Sequence, residues 1–210
     1  MDLIKMEKII KYIIITTIIG LIGYNAIYFQ SLKERKNTVI SVFDPNVLAK
    51  DFIQNKIIEL PSMKAGEFLM SLKKDSLKFI TENGKKLGIS TDYYFIVESN
   101  AVIQAIQEEN ILITLDDKSA VEMLIATDFI FGNTVREASG IANIGDFQNT
   151  MDFNNISIAL NDKIRSEIIP PFVEKAEKGN KIYFKGAIKV DTKKLGTTPF
   201  RIVPLILTFL

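Results

Sequence analysis

Two stretches hold the side chains with which this chain could do chemistry. TDFIFGNTVREASG (127–140) carries Asp128, Asn133 and Arg136. TMDFNNISIALND (150–162) carries Asp152, Asn154 and Asn155, with Asp146 and Asn149 just upstream. Arg136 can offer its planar fork to a carboxylate, a phosphate or a vicinal diol. Amides and carboxylates gathered within ten residues can exchange hydrogen bonds with sugar hydroxyls, and Phe147 and Phe153 add apolar faces to such a cradle. Each group also has a purely structural use. Asp128 and Arg136 have opposite charge and can pair, and Asp152 or Asn154 can cap the helix that follows, a contribution of about 1 kcal/mol. Gly132 and Gly140 suit tight turns, and Phe129 and Phe131 read as core. A cap uses one or two of the polar residues and leaves a surplus. The candidate ligand-binding set is therefore Asp128, Asn133, Arg136, Asp146, Asp152, Asn154 and Asn155. Replacing Arg136 with Ala is expected to remove binding and leave the fold intact.

Composition removes most other chemistry. The chain has no Cys, His or Trp, so it offers no disulfide, no thiolate, no Cys/His zinc site and no Ser-His-Asp triad. NGKKLG (83–88) lacks the glycine spacing and the Ser/Thr of a phosphate-binding loop. Asp146, Asp152, Asn154 and Asp162 offer calcium-type oxygens without the spacing of a calcium loop. Asp146 and Asp152 could form a hydrolytic carboxylate pair only at a suitable separation. No cofactor motif is present, and a non-enzymatic protein is expected. Residues 31–210 carry as many cations as anions, since the three Lys, Asp2 and Glu7 of the first thirty residues account for the whole net charge of +1. That balance provides no basic footprint for nucleic acid.

The groups that could do chemistry need a scaffold. FDPNVLAKDFIQNKIIELPSM (43–63) opens with Asp44 as N-cap and Pro45 at the first helical position, and Leu48, Phe52, Ile53, Ile57 and Leu60 form its apolar stripe. A second helix holds Phe68, Leu69 and Leu72, and a third runs from Asp75 to Asn83-Gly84. From residue 92 the period changes. Strand-like runs starting near 92, 101, 110 and 120 are separated by SN, EEN and DDK. KIYFKGAIKV alternates, with Ile182, Phe184, Ile188 and Val190 on one face and Lys181, Lys185 and Lys189 on the other. Gly186 marks a bend or bulge, and Pro204 in FRIVPLILTF marks an edge or bulge. Ile156, Leu160, Ile164 and Ile168 recur every four residues, predicting a helix over 154–169 that Pro170-Pro171 breaks. The predicted class is α+β: a small OB-like antiparallel barrel over 91–210 with a helical insertion at about 129–178, preceded by a helical subdomain over 33–90.

Residues 12–30 carry no charge and would rise about 28 Å as a helix, close to the roughly 30 Å hydrocarbon core. Lys5, Lys8 and Lys11 precede them, and Tyr24, Tyr28 and Phe29 lie toward the far end. This predicts a transmembrane anchor over 12–32, with 1–11 as a cytoplasmic tail and the bulk of the chain outside the cytoplasmic (inner) membrane. A cleaved signal peptide and a buried core helix are the alternatives; the run is long for a signal peptide and lacks a small-residue exit.

TDFIFGNTVREASG, GDFQNTMDFNNIS and EKGNKIYFKGAIKV together resemble an uncharacterised bacterial family of predicted periplasmic proteins, often described as lipoproteins. The resemblance covers nearly the whole chain. It implies an OB-like barrel after a small helical subdomain, and genes commonly beside sugar ABC-transporter components, with no established activity. With no cysteine to lipidate, this chain departs from the lipoprotein description. The expectation is a membrane-anchored, extracytoplasmic binding accessory for a small polar ligand such as a sugar, with ABC-transporter components as partners. A scaffold that binds no small molecule is the alternative, and a carboxylate hydrolase a more distant one.

Overall fold

Alternation of apolar residues along five strands builds the body of the molecule. A computed structural model describes residues 3–26, 43–117, 119–147, 149–195 and 199–210. They divide into two units, Met1–Phe43 and Asp44–Leu210. In the second, strand β1 is the short pair Met63–Lys64, followed by β2 (Asp92–Ile106), β3 (Asn110–Leu115), β4 (Glu122–Ala126), β5 (Lys181–Asp191) and β6 (Arg201–Phe209). The sheet runs β1-β2-β3-β4-β6-β5, and β5 pairs back onto β2, closing β2 to β6 into a five-stranded barrel. The β4–β6 pairing is parallel and the other barrel pairings are antiparallel. With helices inserted between the third and fourth barrel strands, this is the OB topology.

DYYFIVES and AVIQAIQ, expected as two strands, are one. β2 pairs with β5 through Val102 and with β3 from Ala101 onward, so Ser99-Asn100 marks the approach to a change of partner instead of a turn. A long strand that borders two neighbours in succession is how a small sheet closes without leaving an open edge. The expected irregularity at Gly186 is present: the register shifts between Lys185 and Gly186, and Gly186 stands opposite Pro204. A Cβ at Gly186 would lie 2.4 Å from Ile202 Cγ2 and 2.6 Å from the Val203 carbonyl oxygen. Only glycine fits that approach.

Odd residues of β2 (Phe95, Val97, Ala101, Ile103) and even residues of β5 (Ile182, Phe184, Ile188, Val190) face the barrel core. Helix α3 (Ala65–Asn83) adds Phe68 to it, edge-on to Phe79, Phe95 and Phe200 with ring centroids 5.1–6.0 Å apart. The two helices expected here are joined end to end. Asp75 breaks the helical backbone (φ −154°, ψ 84°), and its carboxylate accepts from the Lys78 N–H. Tyr94, Ile96, Ala187, Val203 and Leu205, on the opposite parity, are buried too. Helices α2 (Pro45–Asp51, running on as a π-turn, Phe52–Lys56), α4 (Thr134–Ser139) and α5 (Thr150–Lys163, running on as a π-turn, Ile164–Ile168) supply this outer layer, α4 against β2 and β5 and α2 against α5. Lys185, expected among the solvent-facing lysines, is 3% exposed for that reason. Pro170 and Pro171 do not break the helix. They occupy the first turn of α6 (Ile169–Val173), where a missing N–H leaves no internal bond unmade.

The first unit contains helix α1 (Leu3–Ala26), 24 residues long. Its side chains at Ile9, Ile10, Tyr12, Ile13, Ile14, Ile15, Ile18, Ile19, Leu21, Ile22 and Tyr24 are all exposed. The expected transmembrane helix over 12–32 is not supported: among the described residues no helix is long and apolar enough to cross a membrane. The helix starts well before residue 12, and its charge-free part, 12–26, rises about 22 Å, short of the roughly 30 Å required. Residues 27–32 of that expectation lie outside the described residues.

Candidate functional site

The segment between β4 and β5 leaves the barrel at Ala126 and returns at Lys181, and both motifs lie within it. Its first turn is held from three directions. Arg201 of β6 donates through Nη1 to the Phe129 carbonyl (3.3 Å) and through Nη2 to that of Asp128. Arg165 donates to the Ile130 carbonyl (2.9 Å), and Asn161 to that of Gly132 (2.8 Å). Phe129 lies in the left-handed region at φ 48°, a strained state for an aromatic residue, and Gly132 lies there at φ 79°. Phe129 and Phe131, expected in the core, are instead 55% and 68% exposed. Four consecutive or near-consecutive carbonyls claimed by side chains offset the strain and keep the two rings at the surface.

Asn133 precedes α4. Its side chain accepts from Tyr94 Oη (3.2 Å) on the barrel's outer face. Burial, with Asp92 nearby, pushes the Tyr94 hydroxyl above its ordinary pKa, so it stays a donor. At the other end of α4, Gly140 takes a left-handed φ of 68°, and Lys85 donates to the Ser139 carbonyl (2.8 Å). A lysine there satisfies an open carbonyl and complements the helix C-terminus.

Arg136 is 3% exposed. Its Nε and Nη2 both donate to Glu137 Oε1 (2.8 and 2.7 Å), and Nη1 donates to the Phe153 carbonyl (2.7 Å) and to Asn154 Oδ1 (3.3 Å). The guanidinium carbon stands 3.6 Å from the centre of the Phe153 ring. The expected Asp128–Arg136 pair does not form. Glu137 takes the guanidinium, and Asp128 turns its carboxylate to the Phe129 N–H (2.7 Å). Arg136 therefore ties α4 to α5 and has little left for a ligand.

The helix cap is also reassigned. α5 starts at Thr150, and Asn149 is its N-cap: Asn149 Oδ1 accepts from the Asp152 N–H (2.8 Å), while Asn149 Nδ2 donates to Asp152 Oδ2 (2.8 Å). Asp152 completes that reciprocal cap and is not the capping residue. Asp146 lies exposed in a short 3-10 turn (Ile144–Asp146). Asn155 is half-buried on α5. Among the described residues, no three His, Cys, Asp or Glu side chains gather where they could hold a metal.

Three of the expected site residues do converge. Asn133, Arg136 and Asn154 line one groove of about 450 Å3, together with Phe131, Ser157, Ile158, Asn161 and Arg165. Asp128, Asp146, Asp152 and Asn155 are not in its lining. Ser157, only 7% exposed, has a hydroxyl with no hydrogen-bond partner. A buried unmatched hydroxyl costs about 1–3 kcal/mol. The sequence reasoning passed over Ser157, Asn161 and Arg165 as ordinary helix residues. Their spacing of four was visible, since it puts them on one helical face. The obligation of Asn161 and Arg165 to the 127–133 turn was not. A larger depression of about 750 Å3, between α3 and the connection into β6, is lined mainly by Leu69, Leu72, Val121, Leu195 and Phe200. Among its described lining residues there is no unpartnered buried polar atom, so the smaller groove is the stronger candidate.

The model of a family described as "Predicted periplasmic lipoprotein (DUF2291)" matches residues 17–208. Among curated proteins none matches the chain. A crystal structure of an OB-fold protein from Thermotoga maritima is similar over 80% of this chain and 99% of its own, with a TM-score of 0.72 and 24% identity. At that identity the likeness establishes the fold, and it agrees with the strand order above.

Proposed function

Because the chain belongs to the predicted periplasmic lipoprotein family, we propose that it works outside the cytoplasm, held at a membrane, as a non-enzymatic binding protein whose ligand enters the groove between the 130–133 turn and α5. The observation that carries this reading is the groove itself, lined by Asn133, Asn154 and the exposed Phe131 and backed by a buried Ser157 hydroxyl that has no partner. A purely structural packing of α4 on α5 would gain stability from Ala or Val at that position. The groove's volume lies within the ~300–1,000 Å3 range of small-molecule sites.

Family lipoproteins are named for a lipid that this sequence, with no cysteine, has no thiol to carry. Helix α1 takes over that role in our reading: its exposed isoleucines are material for a lipid phase. Service to an ABC transporter, as an accessory that receives or presents a small polar solute, is the role that fits a tethered module with a groove of this size in a chain that has no His or Cys. Thermal unfolding of the full-length chain in detergent micelles, against mono- and oligosaccharides, nucleosides and divalent ions, tests the binding function. A ligand at 100 times its dissociation constant adds about 2.7 kcal/mol, a rise of a few degrees in Tm at this size. A flat panel would leave a scaffold between membrane proteins as the better account.

A further inference from the structure

Phe129 is not explained by the groove, whose lining does not include it. It carries two costs at one position. Its backbone is left-handed at φ 48°, where glycine would sit without strain, and its ring is exposed. The Arg201 guanidinium holds the turn in that state, spent on the Asp128 and Phe129 carbonyls and on Asn110 Oδ1. The ring is therefore a fixed apolar knob, and carboxylates surround it. Asp128 precedes it, and the Glu108-Glu109 turn is bonded to the same loop through the Glu109 carbonyl, which accepts from the Thr127 and Asp128 N–H groups (2.9 and 3.3 Å). Glu108, Glu109 and Asp128 are all exposed, and none forms a salt bridge among the described residues.

The same chain carries a socket of the complementary kind. The depression of about 750 Å3 is walled by Leu69, Leu72, Val121, Leu195, Pro199 and Phe200. Its rim is mainly basic. Lys73 lines it and forms no salt bridge among the described residues, and Lys193 and Lys194 are exposed just before Leu195, against the one carboxylate of Glu122. An apolar knob among acids and an apolar socket among lysines have the signs that attract. Knob and socket are also neighbours. Phe200 lines the socket and the next residue, Arg201, clamps the knob, while β4 runs from Glu122 at the socket toward the knob's turn. At most about 20 Å of chain separates Glu122 from Asp128. The clamps keep the knob out of the socket of its own chain. Two copies related by a two-fold axis can exchange knobs, and every contact is then made twice.

We infer that a second copy of this chain seats its Phe129 ring in the socket beside Phe200, with its Asp128 against Lys73, and that the exchange is reciprocal. The groove takes no part in it, so this pairing stands apart from the binding reading above.

Sedimentation equilibrium of the full-length chain in density-matched detergent micelles tests it, since the exchange predicts a reversible dimer. Phe129→Gly relieves the backbone strain and removes the ring, so folding is not at risk. It should weaken dimerisation about tenfold or more, with a Tm in dilute solution that is unchanged or higher. Lys73→Glu should weaken it about tenfold by setting like charges together, and Asp128→Lys added to that chain should restore it. A dimer that these variants leave intact, as pairing through α1 would give, overturns the exchange. Weakening by Phe129→Gly that Lys73→Glu does not share places the ring elsewhere on the second copy and overturns the socket. A monomer at every concentration overturns the pairing altogether and leaves the ring to a lipid surface or a different protein.

Discussion

Glu98 and Ser157 lie in two polar clusters of the same unit, and the clusters are completed to different degrees. Around Glu98, on the outer face of β2, every demand is met. Lys64 Nζ donates to Oε1 (2.6 Å), and Ser62 Oγ (2.6 Å) and Tyr183 Oη (3.0 Å) donate to Oε2. These donors, Lys64 first, hold the Glu98 carboxyl down at about 2, while burial and the carboxylate push the Tyr183 hydroxyl up to about 12. Lys185, opposite Glu98 in the ladder, donates to the Ile58 carbonyl (3.2 Å), and burial lowers its pKa. That cluster ties the chain after α2 to the barrel. The groove cluster contains the same kinds of group, yet one buried hydroxyl is unanswered and two phenyl rings face solvent. A completed network serves the fold; an incomplete one, held rigidly, has capacity for something else.

The comparison can be broken most directly at Arg136, which belongs to the groove by position and to the completed type by its bonds. Arg136→Ala should destabilise the protein by about 3–5 kcal/mol, because Glu137 and the Phe153 carbonyl lose their donor inside the protein. Denaturant unfolding measures this. A variant of unchanged stability that had lost binding would restore the ligand role expected from sequence and refute the assignment made from its bonds. The next effect is at Glu98. Glu98→Gln should cost about 1–3 kcal/mol. Its pH signature has a fixed sign: the folded pKa, near 2, is below the ordinary 4.5, so the native carboxylate contributes stability above about 4.5 that is lost as pH falls toward 2. Wild type should lose stability steeply through that window, and Glu98→Gln should flatten the slope. Parallel slopes would mean the cluster does not hold the proton off.

How far the sequence could be read follows the same division. Elements whose signal is local were legible: the Asp44 cap with Pro45 behind it, the alternation in β5, the irregularity at Gly186, and Asp75 separating two helical runs. Relations that depend on a distant chain segment were not. Ser99-Asn100 looks like a turn because its composition is turn-like, and only the arrival of β3 alongside shows that the strand continues. Lys185 reads as solvent-facing from its parity, since nothing nearby in sequence says that the Ile58 carbonyl, beyond the π-turn, will take its ammonium. At the candidate site, Asn133, Arg136 and Asn154 were singled out by residue type, and they line one groove. The role of Arg136 was misjudged because its best partner, Glu137, is the next residue on a helix, where adjacent side chains do not ordinarily face each other. Phe129 and Phe131 were assigned to the core on hydrophobicity. The carbonyl clamps that turn them outward come from residues 29 or more positions away.

The finest test of the comparison is the pair with the smallest expected stability effects. Phe131→Ala should move stability by no more than about 0.5 kcal/mol, the usual range for a surface side chain. Ser157→Ala should be neutral or stabilising by up to about 1 kcal/mol, since it removes a buried hydroxyl that has no partner to lose. The sign at Ser157 is what matters. A buried serine that served packing through a bond to the neighbouring helices would destabilise on truncation, as Arg136 and Glu98 should, and the groove would then join the Glu98 cluster as a completed network. A gain in stability would mean that the native residue is retained against the interest of the fold, the expected mark of a residue kept for function at the groove. Urea unfolding of the three chains under one condition resolves this, because differences in midpoint at a shared slope are read without long extrapolation.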